Sequence, residues 1–337
     1  MRAVQANAMD LSLFQFDYDL TFAAFFMNAD RTIYGRFGSR SHHEHAEKDI
    51  SIEGFRHALA AAWELHKQYP RNKQSLAGKQ PKPVNIKSPE QYPHLAGKYK
   101  PALDYEGAVV RSCLHCHQVR EAERTLYRTQ RKPIPDEVLL PYPMPDSVGL
   151  SLDPKSKARV GLVNSGSAAA KAGFRANDEI LTFGGQPILS TADIQWVLQH
   201  TPAPGRVAAK VERGSQQREL LLELPTDWRQ GNDISWRATT WDLRKMATGG
   251  LVLKEATEPR QGLGLIVDYV GQYDEHAVGK RAGFKKGDVF LNAAGENKPT
   301  TESQFLRYIL QSKMPGEKVP ITVLRSGQQL DLQLPMQ

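Results

Sequence analysis

The sequence predicts a multidomain α+β protein, and three observations lead to this fold class. A hairpin-then-helix pattern lies near the start, a Pro- and Lys-rich stretch fills the middle, and two related segments follow each other towards the end. The chain has 337 residues, 40% of them hydrophobic, which suits two to four ordinary domains. We expect an N-terminal α/β unit over 1–70, a small helical segment over 71–147, a repeat over 148–226, a linker over 227–257 and a second repeat over 258–337.

The first segment has the pattern of a β-hairpin covered by a helix. Apolar runs at 20–27 and 32–38 flank a turn at 28–31, as the two strands of a hairpin do. From Ser51 onward, apolar residues recur at helical spacing, at Ile52, Phe55, Leu59, Ala62 and Trp63. A hairpin with one covering helix is the second half of a thioredoxin-like fold, so we expect a partial thioredoxin-like unit here.

Both cysteines of the chain lie in one short motif of the middle segment, Cys113-Leu114-His115-Cys116-His117. The spacing C-x-x-C-H is typical of c-type haem attachment. We expect one covalent haem c, with thioether bonds from Cys113 and Cys116 and with His117 as an iron ligand. Because this segment is poor in apolar residues, we also expect the haem to supply its missing core.

Other uses of the two cysteines stay open at this point. A thioredoxin-like redox pair has the same spacing, a zinc site needs further ligands, and a structural disulfide would close only a small loop. The histidine that follows Cys116 favours haem, because neither a dithiol nor a disulfide requires it.

Met144 is the residue predicted to bind the iron opposite His117. It lies between two prolines, which restrict the backbone on both sides, and a Met/His pair suits electron transfer. His94, the cluster at 42–45 and an open site are the alternatives. The cluster contains His42, His43, Glu44 and His45, which also makes it a candidate site for a divalent metal.

Two segments in the second half of the chain are internal repeats. Residues 171–181 match 281–291, Pro204-Gly205 matches Pro315-Gly316, and 211–214 matches 323–327. Two copies indicate a tandem domain duplication, since a solenoid needs more units.

The repeats resemble PDZ domains of the kind attached to bacterial periplasmic proteases. The resemblance implies β-sandwich or barrel domains that take up a peptide as an added strand. It also implies a Gly-rich loop whose backbone N–H groups hold the peptide carboxylate. That loop maps onto Gly149, Leu150, Ser151 and Leu152 in the first repeat, and onto Gly262, Leu263, Gly264 and Leu265 in the second.

The arrangement as a whole resembles a family of bacterial thioredoxin-like/PDZ (seleno)proteins. The resemblance rests on residues 10–21, the strand at 34–36, the C-x-x-C-H motif and the two repeats. That family commonly carries a redox Cys or selenocysteine just before the segment with which this chain begins. It is absent here, so the resemblance implies no thiol redox activity.

These features predict an exported mono-haem c-type cytochrome-like protein that transfers electrons and docks a partner through PDZ domains. The alternatives are a PDZ scaffold with a structural or sensory haem, and a thiol-disulfide oxidoreductase. No catalytic residue is predicted, and we expect no enzyme. Haem attachment of this kind implies a periplasmic or other extracytoplasmic location, although the first ten residues show no export signal.

The charge pattern bears on the partners. The net charge is +7, and residues 67–132 hold fourteen Lys and Arg against five Asp and Glu. A basic surface would favour an acidic redox partner. We expect no nucleic acid, because the motifs of that class are missing, and no membrane span.

Overall fold

A computed structural model describes residues 3–256, 262–298 and 300–337. The boundary predicted between linker and second repeat, at 257/258, lies outside the described residues. The helices are α1 (Ala46–Asp49), α2 (Ile52–Lys67), α3 (Val109–Ser112), α4 (Cys116–Thr129), α5 (Asp136–Leu139), α6 (Ala168–Ala172), α7 (Thr191–Gln199), α8 (Thr240–Thr248), α9 (Val278–Arg281) and α10 (Glu302–Ser312). The strands are β1 (Ala24–Met27), β2 (Ile33–Phe37), β3 (Leu150–Leu152), β4 (Val160–Val163), β5 (Glu179–Phe183), β6 (Gln186–Pro187), β7 (Gly205–Arg213), β8 (Gln216–Leu224), β9 (Leu251–Glu255), β10 (Leu265–Val270), β11 (Val289–Ala293), β12 (Lys318–Arg325) and β13 (Gln328–Pro335).

Contacts divide the chain into two compact units. The first unit contains Met9–Ser88 and Leu140–Asn232, and the second contains Pro89–Leu139, Asp233–Gln337 and the residues up to Ala8. Each unit therefore combines one repeat with an earlier segment of the chain. None of the helices described is long and apolar enough to cross a membrane. The domain boundaries predicted from the sequence stay a prediction.

The N-terminal part of the first unit forms the hairpin and helix that the sequence predicts. Strands β1 and β2 pair antiparallel, and α2 begins at Ser51, whose hydroxyl accepts a 2.9 Å bond from the amide of Gly54. The apolar positions divide differently from expectation. Ala58 and Ala62 are buried, whereas Ile52 and Trp63 are 84% and 57% exposed.

The thioredoxin-like identity of this part stays a prediction. The described residues before position 71 form only a two-stranded sheet and the helices α1 and α2. Small alanines on α2 let the helix approach the hairpin closely, and they pack there with Tyr34 and Phe37. This local core is what the structure establishes.

The first repeat forms the core of the first unit. Its sheet has the order β6-β5-β7-β8, and β3 and β4 form a separate antiparallel pair. The apolar interior between them includes Leu150, Val160, Phe183, Ile194 and Leu198, which are all fully buried. The second repeat has one sheet of the order β13-β12-β11-β10-β9. These sheets are open, so the predicted barrel is wrong.

A shared side-chain fork shows that the repeats have the same fold. In the first repeat, Arg213 binds both carboxylate oxygens of buried Asp178, at 2.7 and 2.8 Å. In the second, Arg325 binds both oxygens of buried Asp288, at 2.7 Å each. Each guanidinium group also donates a 2.8 Å hydrogen bond to a glycine carbonyl, from Arg213 to Gly173 and from Arg325 to Gly283. Hydrogen bonds to the aspartate raise the pKa of each arginine.

Two equivalent backbone hydrogen bonds, one within each repeat, show which strands of the two repeats correspond. The amide of Val160 in β4 donates to the carbonyl of Asp178 at 2.8 Å, and the amide of Val267 in β10 donates to the carbonyl of Asp288 at 2.9 Å. Strand β4 is therefore equivalent to β10. Since β3 pairs with β4 and β9 pairs with β10, β3 and β9 are also equivalent.

The helical segment before the second repeat has its own apolar core. Leu114, Val119, Ile134 and Leu139 are completely buried, and Arg307 of the repeat forms a two-bond ion pair with Asp136, at 2.6 and 3.0 Å. The second repeat therefore supplies a packing partner for this segment, while a contribution of haem to its core stays a prediction.

A buried ion pair joins the N-terminal part of the first unit to the helix α7 of its repeat. The Nζ atom of Lys79 lies 2.7 Å from Asp193 Oδ2, and neither side chain is exposed. Asp193 also accepts bonds from the amides of Arg36 and Leu189, at 3.1 and 3.0 Å. Burial lowers the pKa of Lys79 to about 8, against the opposing pull of Asp193. Asp193 thus binds three donors at once, which are the ammonium group of Lys79 and two backbone amides.

We predict that Asp193→Ala lowers the free energy of unfolding by about 3–5 kcal/mol, because it leaves a buried lysine without its counter-ion. Urea denaturation followed by circular dichroism measures this change. The control is Glu64→Ala, whose partner Lys67 lies at the same 2.7 Å distance but on the surface. It should cost less than about 1 kcal/mol. Equal losses for the two variants would contradict the prediction.

Candidate functional site

The loop predicted to bind peptide in the first repeat lies at the entry to β3. Gly149 has a φ of +86°, and a Cβ atom there would fall 2.2 Å from the side chain of Ser167. Only glycine fits both the left-handed backbone and this close approach. Leu150 points into the core and is fully buried, so its backbone, and not its side chain, faces a ligand.

One edge of β3 is open. In the part of the chain that the structure describes, β3 pairs with β4 alone. The carbonyl of Gly149 accepts from Asn164, and the amide of Asp153 donates to Arg159, so these positions bond towards β4. Since bonding alternates along an antiparallel strand, Leu150 and Leu152 direct their amides and carbonyls to the open edge. This is the arrangement that strand addition requires.

The turn Pro145–Val148 packs against both β3 and helix α7. The side-chain amide of Gln195 donates 2.8 Å to the carbonyl of Tyr142, and the amide of Tyr142 donates 2.6 Å to Gln199. Two glutamines thus hold an extended stretch of the chain along the helix. This face of α7 is therefore covered by residues of the same unit, and Gln195 is buried.

Two shallow clefts lie beside α7. One is lined by Phe37, Asp153 and Thr191, and the other by Phe25, Tyr142 and Gln195. Each has room for about one water molecule, so neither is a small-molecule site.

The mapping of the loop in the second repeat needs correction. Gly262, Leu263, Gly264 and Leu265 lead into β10, which is equivalent to β4 and not to β3. The position of Gly149 belongs to Gly250, because its carbonyl accepts from Gly271 as that of Gly149 accepts from Asn164. Gly250 also has a positive φ, +89°.

The loop of the second repeat is therefore Gly250-Leu251-Val252-Leu253. These residues fall within 227–257, the range predicted to be a linker. The run Gly249-Gly250 before two leucines was the available signal. Peptide binding by either loop stays a prediction, since the geometry alone does not test it.

The C-x-x-C-H motif spans the start of α4 in the second unit. Cys113 and Cys116 are free thiols, and both are partly buried. His117 lies with Nδ1 3.2 Å from Glu121 Oε1, and its ring stacks on that of His115 with 5.7 Å between centroids. A carboxylate on Nδ1 orients the ring as in many metal-binding histidines. The residues fit haem attachment, and haem c stays a prediction.

Thiol redox activity receives no support from this geometry. Reactive cysteines need a lowered pKa, whereas burial raises the pKa of the Cys116 thiol. The zinc alternative also lacks support, since the one group of three metal-type ligands within the described ranges is His42, His43 and Glu44.

The other predicted iron ligands, Met144 and His94, belong to different units. Met144 belongs to the first unit, whereas the C-x-x-C-H motif belongs to the second. The carbonyl of Met144 accepts from the hydroxyl and amide of Ser147, at 2.7 and 3.0 Å, in the turn before Gly149. His94 is in the second unit, and burial, with help from Lys98, lowers its pKa. Ligation by Met144 stays a prediction.

The cluster at 42–45 lies on the surface of the first unit. The rings of His42 and His43 have centroids 4.1 Å apart, and His43 lies 3.6 Å from Glu44. His45 instead has its Nδ1 3.5 Å from the hydroxyl of Ser41. Binding of a divalent metal here stays a prediction.

Part of the basic charge predicted to face a partner is used inside the protein. Lys79, Arg120, Arg124 and Arg128 are at most 4% exposed. Arg128 donates to the carbonyls of Lys313 and Gln337, between 2.7 and 3.1 Å. These cations hold segments together, so they do not form a docking surface for an acidic partner.

Comparison with known protein families identifies a PDZ domain at residues 159–213. The match covers the first repeat from β4 to the end of β7. It confirms the PDZ resemblance of that repeat, while the PDZ identity of the second stays a prediction.

The relatives are proteases. The chain is 24% identical over 176 residues to a probable periplasmic serine endoprotease DegP-like of Marinomonas sp. (strain MWYL1), covering 52% of this chain and 36% of the relative. It is 27% identical over 164 residues to the periplasmic serine endoprotease DegP of Salmonella typhimurium, covering 49% and 31%. The chain thus spans about a third of the length of these relatives.

Two solved structures of serine proteases are also similar to this chain, at low sequence identity. The serine endoprotease from Yersinia pestis is 20% identical, with a TM-score of 0.20 over 38% of this chain and 42% of that one. The HtrA-type protease AlgW with decapeptide is 16% identical, with a TM-score of 0.25 over 47% and 54%. Values this low carry no argument by themselves.

These comparisons correct the functional prediction. The relatives are named as periplasmic serine endoproteases, which points to a protease and not to a cytochrome electron carrier. The predictions of electron transfer and of a protein that is no enzyme are therefore wrong, and a redox partner has no support. The relatives agree with the expected extracytoplasmic location.

We predict that Cys116 reacts slowly with iodoacetamide at neutral pH and faster as the pH rises above 9, because burial disfavours its thiolate. The measurement is mass spectrometry of Cys113→Ser protein alkylated over a pH series, with free cysteine as the control. A rate at pH 7 above that of free cysteine would restore the thiol redox alternative.

We predict that protein matured with a c-type haem attachment system gives a pyridine haemochrome spectrum, and that Cys113→Ser/Cys116→Ser gives none. The reason is the C-x-x-C-H spacing. Intact mass supplies the second measurement, since a covalent haem adds its own mass to the chain. Unmodified thiols in the matured protein would contradict the prediction of a covalent haem.

Proposed function

We propose that this chain recognises segments of other proteins for DegP-like serine proteolysis outside the cytoplasm. The observation that carries the proposal is the open edge of β3 in the PDZ repeat. There, a segment would add as a strand through the backbone groups of Leu150 and Leu152. The protease names of the relatives, and their periplasmic location, support the setting.

The proposed ligand is an extended peptide. Backbone groups on β3 would bind it without regard to sequence.

Strand addition supplies the affinity in this proposal. Each backbone bond on the open edge replaces a bond to water, so its net contribution is modest, about 1 kcal/mol. Several such bonds with one or two buried side chains give affinities in the micromolar range, near −8 kcal/mol. Micromolar binding suits a protein that must release its substrates.

The test is fluorescence polarisation with labelled decapeptides that have alternating apolar residues and a free C-terminus. We predict that Leu152→Pro weakens binding at least tenfold, since it removes the amide that points to the open edge. Proline is tolerated at such edge positions. Leu152→Ala is the matched control, because it shortens the side chain but keeps the amide. Equal binding by the two variants would contradict the proposal.

A further inference from the structure

Helix α8 covers the edge of β9 in the second repeat, which is equivalent to the unpaired edge of β3 in the first. It packs against both β9 and α10, the strand and helix between which it lies. Leu243 and Ala247 of α8 are completely buried, as are Leu306 and Leu310 of α10. A segment that the sequence places in a linker is thus part of the apolar interior.

Side chains take up the outward backbone groups of β9. The hydroxyl of Thr248, the last residue of α8, donates a 2.8 Å bond to the carbonyl of Leu251. The amide of Leu253 donates a 2.8 Å bond to Glu302. These are the groups that an added strand would use, because Leu251 and Leu253 are equivalent to Leu150 and Leu152.

A buried ion pair fastens α8 in this position. The guanidinium of Arg244 binds Glu302 through Nε at 2.9 Å and through Nη2 at 2.6 Å, and both side chains are less than 10% exposed. Arg244 also donates 3.0 Å to the carbonyl of Ser235. The same carboxylate therefore holds α8 and caps β9.

The first repeat has no carboxylate at the position of Glu302. The residue after the helix N-cap is Thr191 in α7 and Glu302 in α10, so no carboxylate reaches the edge of β3 from that position. Five and nine residues after the N-cap, α7 has Gln195 and Gln199 where α10 has Leu306 and Leu310. The chain before the loop is a single turn, Pro145–Val148, where the second repeat has the nine-residue α8.

We infer that α8 is an autoinhibitory segment that competes with peptide for the edge of β9, and that the Arg244–Glu302 pair controls its release. The inference rests on the proposed function. The competing ligand is an extended peptide with apolar side chains, because the wall that α8 leaves behind presents Leu306 and Leu310. A nine-residue helix is unstable by itself, so the released segment would unfold.

The contacts of α8 with its surroundings suggest how release is coupled to the rest of the unit. Arg124 of α4 donates 3.0 Å to the carbonyl of Thr239 at the start of α8. The side chain of Gln337 donates 2.8 Å to the carbonyl of Lys245. Displacement of α8 therefore breaks bonds to α4 and to the last residue of the chain.

The experiment uses the full chain with Leu152→Pro, which silences the open edge of the first repeat. The labelled apolar decapeptide described above is the probe. In this background, Arg244→Ala/Glu302→Ala should strengthen peptide binding at least tenfold. The matched control is Arg206→Ala/Glu223→Ala, which removes an exposed ion pair of 3.2 Å from β7 and β8 and should leave binding unchanged.

Hydrogen exchange measured by mass spectrometry follows the segment itself. Residues 240–248 should lose protection in the Arg244→Ala/Glu302→Ala protein, and saturating peptide should increase their exchange further while protecting 251–255. Thr248→Val is a milder second variant that keeps the fold and removes one cap of β9. It should strengthen binding several-fold.

The outcomes separate this inference from the proposed function. Loss of protection at 240–248 without any gain in peptide binding would overturn the inference, and so would unchanged binding by Thr248→Val. Neither result touches the proposed function, which depends on the contrast between Leu152→Pro and Leu152→Ala in the otherwise unaltered chain.

Discussion

An edge strand must satisfy the amides and carbonyls that point away from its sheet, and this constraint shapes both repeats. At β3 the outward groups of Leu150 and Leu152 remain available to an incoming strand. At β9 the equivalent groups are bound by Thr248 and Glu302. The same edge is therefore unpaired in the first repeat and bound by side chains in the second.

The shared features of the repeats are those that the fold itself requires. Each aspartate fork joins the loop after a short helix to a long strand, with nearly the same distances in both copies. The divergent features lie around the groove, where glutamines in α7 replace leucines in α10. The scaffold is therefore the same in both repeats, while the residues on this helix face differ.

The sequence was informative where local patterns decide the outcome. The hairpin β1–β2, the N-cap at Ser51 and the duplication itself follow from turn residues, capping chemistry and repeated motifs. The sequence did not predict the loop at Gly250, because the residues Gly262-Leu263-Gly264-Leu265 match the expected motif more closely. Only the strand pairing of β9 with β10 shows which glycine occupies the equivalent position.

The interleaved order of the two units has a consequence for synthesis. All residues of the first unit have been made once Asn232 is added, whereas Pro89–Leu139 must wait for Asp233–Gln337 to complete the second. During translation, Leu114, Val119 and Ile134 have no finished packing partner for roughly two hundred residues of elongation, from Leu139 to Gln337. This stretch would be an early target for holding chaperones, and neither unit corresponds to a continuous gene fragment that could be expressed by itself.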